Sequence, residues 1–89
     1  MMYMQLQETL NNQGILAVIQ KDQALARLYS LLKNEVDQAR NEFLGEKWRQ
    51  PIEVNNFFRE PLSSRVIAAY LLLKADLVRY NISLPEIGE

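Results

Sequence analysis

The sequence predicts an all-α fold, a small bundle of three to four helices, and three observations carry that expectation. Apolar residues recur at helical spacing over two long stretches. Only three glycines and three prolines interrupt the chain, and they sit where breaks are expected, between those stretches or outside them. No pair of segments alternates apolar and polar residues as two partnered strands would. Residues 1–89 are expected to form a single helical domain, because 89 residues are enough for one core and no more.

Taken in order, residues 3–12 suit a short helix carrying Met4, Leu6 and Leu10, stopped at "NNQG" with Gly14 as a left-handed cap. "ILAVIQ", residues 15–20, is short enough to be a helical turn or a strand; the lack of a second strand favours helix. Asp22 is expected to cap the next helix, its carboxylate accepting from free backbone N–H groups. From there Leu25, Tyr29, Leu32, Val36, Ala39 and Phe43 follow a 4-3-4-3-4 spacing, with Leu28 beside them. At about 100° per residue this is one apolar stripe. Gly45 ends it.

Residues 46–60 read as a loop of about 15 residues between the two long helices. A last helix is expected from Pro61 or Ser63 to about Tyr80, ended by Asn81 and Pro85. It is apolar on two faces. Leu62, Val66, Ala69, Tyr70, Leu73, Leu77 and Tyr80 form one; Ile67, Leu71 and Val78, with Ala68 and Ala75, form the other. Such a helix is covered on two sides. Either the N-terminal segment covers the second face, through Leu10, Ile15, Leu16 and Ile19, or another protein chain does.

Composition narrows the chemistry. There is no histidine and no cysteine. Imidazole acid–base chemistry, Ser-His and Cys-His nucleophiles, thiolate ligands and disulfides are therefore excluded. Carboxylates Glu35, Glu42 and Glu46 interleave with Lys33 and Arg40 as a solvated face would, and no histidine is present to complete a di-metal site. No metal or cofactor motif occurs, and the expectation is a chain that is not an enzyme. The longest apolar run, residues 66–73, is far shorter than the roughly 18–20 residues that span a bilayer. With no basic and apolar leader at the start, a cytoplasmic location is expected.

Net charge is −1, which gives no general attraction to nucleic acid or to an acidic membrane. From residue 47 to residue 79 there are six basic and three acidic side chains, a weak basic patch that keeps nucleic acid as an alternative partner. The preferred expectation is a small accessory protein that binds another protein, or a second copy of itself. Candidate contact residues are Trp48, Arg49, Phe57, Phe58, Ile67, Leu71 and Val78. Trp and Arg are enriched among residues that dominate interface energies, and of the adjacent phenylalanines only one is expected to point inward unless both sit in a helical turn between two packed elements.

The segment Glu46-Lys47-Trp48-Arg49-Gln50-Pro51-Ile52 follows an amphipathic helix containing Val36-Asp37. It precedes Arg59-Glu60-Pro61, a long helix and Leu84-Pro85. In that order, over roughly residues 35–85, the pattern resembles the theta subunit of bacterial DNA polymerase III, a small helical accessory protein. The last helix is more apolar than in that family, the first 20 or so residues have no counterpart there, and Pro61 needs a gap. The resemblance implies a non-catalytic partner of a proofreading exonuclease subunit.

Overall fold

In the computed structural model, which describes residues 1–45 and 51–87, the chain is mostly helical and the described residues contain no strand. The elements are α1 (Tyr3–Leu10), α2 (Gln13–Ile19), α3 (Gln23–Leu44), α4 (Pro51–Phe58) and α5 (Ser64–Leu77), the last prolonged by a 3-10 turn, Val78–Tyr80.

The breaks follow local chemistry. Asn12 Oδ1 accepts from the N–H groups of Gly14 (2.8 Å) and Ile15 (3.3 Å) and so starts α2. Gly14 is therefore the second residue of α2 and not the left-handed cap of α1; only Gly45 and Asn81 have positive φ among the described residues. "ILAVI" is helical, as the missing strand partner suggested. Asp22 caps α3, accepting from Ala24 N–H at 2.9 Å and Leu25 N–H at 3.2 Å. Gly45, at φ 52°, ends it in a backbone region that a side chain would strain. Ser63, rather than Pro61, caps α5.

The core lies between α3 and α5. Leu25 and Leu32 of α3 meet Val66, Tyr70, Leu73 and Leu77 of α5, all fully enclosed. Leu28, Tyr29, Val36 and Ala39 flank them, half-buried, so the predicted stripe holds over most of its length. It drifts at the end: Leu44 is buried and Phe43 is exposed.

The segment expected to be a loop contains α4, which corrects that expectation. Pro51 opens it, at a position in the first turn where a missing backbone N–H costs nothing. Eight residues containing Asn55 and Asn56 would not be a stable helix alone. Burial of Phe57 holds it in place. That ring stacks on Tyr3 at 4.3 Å between centroids and meets Phe58 edge-on at 5.6 Å and Phe43 at 5.8 Å. The N-terminus is tied to the same corner by two backbone bonds, Tyr3 N–H to Glu60 carbonyl (3.2 Å) and Leu62 N–H to Met1 carbonyl (3.3 Å). Tyr3 hydroxyl also accepts from Ser63 N–H at 3.0 Å. Beyond α5 the chain returns along it, burying Leu84, and Tyr70 hydroxyl donates to the Pro85 carbonyl.

Candidate interaction surface

The two faces of α5 have opposite fates. Val66, Ala69, Tyr70, Leu73 and Leu77 point into the core. At 100° per residue, Ala68, Leu71, Leu72, Ala75 and Val78 lie on the other side, and there they meet solvent. Leu71 is 47% exposed, Leu72 54% and Val78 61%. Leu31 of α3, 41% exposed, faces Leu72 and Ala68 across a shallow groove of about 200 Å³. The result is an apolar strip along the whole of α5, widened by α3.

Its rim consists of ion pairs closed within the chain. Arg65 grips Glu35 with two nitrogens, Nε to Oε2 at 3.1 Å and Nη2 to Oε1 at 3.4 Å. Lys74 meets Glu86 at 3.1 Å. Arg79 holds Asp76 through Nε (3.0 Å) and Nη2 (2.9 Å) and reaches Asp22 at 2.9 Å. Three cations of the weak basic patch are thus each matched by a carboxylate of the same chain.

Of the residues singled out from the sequence, Leu71 and Val78 lie on this strip and Ile67 at its edge, half-buried. Phe57 is not on any surface; it is 1% exposed and belongs to the core, while Phe58 is half-buried beside it. Both rings sit in the helical turn of α4 and pack on the core, Phe57 fully and Phe58 in part, so neither is an exposed contact. Trp48 and Arg49 fall outside the described residues, as do residues 46–50 of the stretch that carries the resemblance to the theta subunit. The N-terminal segment does not cover the outer face of α5. Leu10 and Ile15 are buried, with α2 against α3 and α1 against α4. Leu72 and Leu31 were missed. Leu72 was legible on the helical wheel, next to Ala68; Leu31 was not, because it lies off the stripe of its own helix.

Asp22 links the rim to the fold. Besides capping α3, it accepts from Tyr80 hydroxyl at 2.7 Å and from Arg79. The Tyr80 hydrogen bond, the Leu25 N–H and the Arg79 guanidinium together hold its carboxyl down at about 2. A carboxyl depressed in the folded state stabilises above its unfolded pKa and loses that contribution as pH falls through the folded value. Stability is therefore expected to drop between about pH 4 and pH 2 through this group. Asp22→Asn keeps a competent cap but removes the titrating charge. In acid unfolding followed by circular dichroism, the variant is expected to lose part of that pH dependence.

The described residues contain no cluster of acidic side chains able to hold a metal ion, and no helix long and apolar enough to cross a membrane. Comparison of the chain with protein-family models, curated proteins and solved structures finds no match.

Proposed function

We propose that this chain is a small non-enzymatic interaction protein that works by burying the outer face of α5 against another polypeptide. The observation that supports the reading is the exposure of Leu71, Leu72 and Val78 on one face of one helix, continuous with Leu31. Single exposed leucines are ordinary; a contiguous apolar strip with a polar rim is the usual mark of a contact site. Each Å² withdrawn from water contributes about 25 cal/mol, and the alanines let a partner helix approach closely. The mechanism is apolar burial without chemical conversion.

Nucleic acid binding is the alternative that the basic residues raise. The carboxylates paired with Arg65, Lys74 and Arg79 weigh against it, because neutralised cations release few counterions from a phosphate backbone. A titration of complex formation against salt separates the two. Apolar association is expected to be nearly unchanged from low to high salt, and a steep linear loss in a log–log plot would sink this reading.

A further inference from the structure

The corner where α1, α3 and α4 meet is not fully packed. A hollow of about 140 Å³ lies there, walled by Tyr3 and Leu6 of α1, Val36 of α3, and Phe57 and Phe58 of α4. Close-packed interiors hold few voids larger than a water molecule, and an apolar cavity of roughly 150 Å³ accepts a benzene ring. Much of the wall is aromatic. Tyr3 and Phe57 stack at 4.3 Å between centroids, and Phe58 stands edge-on to Phe57 at 5.6 Å. Such a wall suits one apolar ring, or a chain of that bulk, set edge or face against the rings already present. A partner helix or strand would need a longer groove.

The mouth is polar, and its charges do not cancel. Lys33, Asp37 and Arg40 border the hollow at 4-3 spacing, one stripe of α3, and Gln7 borders it from α1. Asp37 accepts from Arg40 at 3.4 Å, a single contact between two accessible side chains, so those two charges offset each other. Lys33 is left over. No carboxylate of the described residues lies within ion-pair distance of it. It is exposed, and its ammonium lies 5.6 Å from the centre of the Tyr29 ring. Arg65, Lys74 and Arg79 differ, each being closed on a carboxylate. A lysine stem is long and flexible enough to carry its ammonium over the mouth.

We propose that this hollow binds a small carboxylic acid whose body is a single apolar ring or a chain of that bulk. The body lies against Tyr3, Phe57 and Phe58, and the carboxylate meets the Lys33 ammonium. An apolar pocket with a few polar groups converging at its mouth is the usual form of a small-molecule site. The hollow shares no lining residue with the groove beside α5, so the proposal is independent of how that face is used. A ligand of about ten non-hydrogen atoms binds weakly, at about 1 mM.

Titration of the native chain with phenylacetate, phenylacetamide and phenethylamine, followed by two-dimensional amide NMR, tests the proposal. Phenylacetate is expected to shift the amides of Tyr3, Leu6, Val36 and Phe58. It should bind about three- to fivefold more tightly than the neutral amide of the same shape, the upper range for one exposed ion pair. Phenethylamine is expected to bind no better than the amide. Lys33→Gln changes an exposed site to a residue of similar helix preference, so the fold should persist while the advantage of the acid disappears. Equal binding of acid and amide to the native chain, or an advantage for the amine through Asp37, would overturn the carboxylate as ligand. An acid advantage that survives Lys33→Gln would overturn the role of the lysine. No shift up to about 20 mM, well beyond the expected affinity, or shifts confined to Ala68, Leu71 and Leu72, would overturn the site.

Discussion

Replacing Phe57 with alanine is expected to cost about 3–5 kcal/mol, the range for removing a buried aromatic ring. The whole chain, at 89 residues, has about 4–13 kcal/mol to lose. Thermal unfolding should move down by at least about 12 °C, at roughly 4–8 °C per kcal/mol for a domain of this size. Three features place the effect at the high end. The ring is 1% exposed. It stacks on Tyr3, whose backbone and hydroxyl tie the N-terminus to the start of α5. It also borders a hollow of about 140 Å³ between α1, α3 and α4. Truncation would enlarge a space that already exists, and the surrounding helices have little freedom to close it. Because α4 lacks the length to stand alone, its helical content is expected to go with the ring. Phe57→Leu, which keeps most of the volume, should retain more than half of the stability lost in Phe57→Ala.

The second large effect contrasts two positions two residues apart. Leu73→Glu puts a carboxylate at a fully enclosed site, in a core that holds no buried polar or charged side chain among the described residues. Burying an unpaired charge costs several kcal/mol even after relaxation, comparable with the stability of the whole chain, so the variant is expected not to fold at neutral pH. Leu71→Glu places the same side chain on the opposite face, where the native leucine is already 47% exposed. Glutamate is a good helix former, and substitutions at such sites stay within about 0.5 kcal/mol. The fold should persist while association through that face is lost. One amino-acid change, made at two neighbouring positions, thus separates the residues that hold the fold from those free to meet a partner.

Local and periodic features were the legible part of this fold. The 4-3 spacing placed α3, and Asp22 and Gly45 marked its ends, because caps and apolar stripes depend on residues within a turn or two. The two faces of α5 were likewise visible on a helical wheel. What the sequence hid depends on distant contacts. α4 has weak helical preference at Asn55 and Asn56, and it exists because Phe57 finds Tyr3 more than 50 residues away. Gly14 has the look of a helix stop, yet the side chain of Asn12 makes it part of a start. Which segment covers the outer face of α5 could not be read either. That depends on where α1 and α2 dock, and both turn toward α3 and α4. The rim was hidden for the same reason. Asp22 lies 57 residues from Arg79, and nothing local marks them as partners.

The central claim is that the outer face of α5 takes no part in holding the chain together and is open to a partner. Thermal unfolding of Leu71→Glu, followed by circular dichroism at a dilution where the native chain is monomeric, tests it most directly. Native helicity and a midpoint within a few degrees of the native chain are the predicted result. Loss of helicity comparable with Leu73→Glu would show that the face is internal, and would contradict the account.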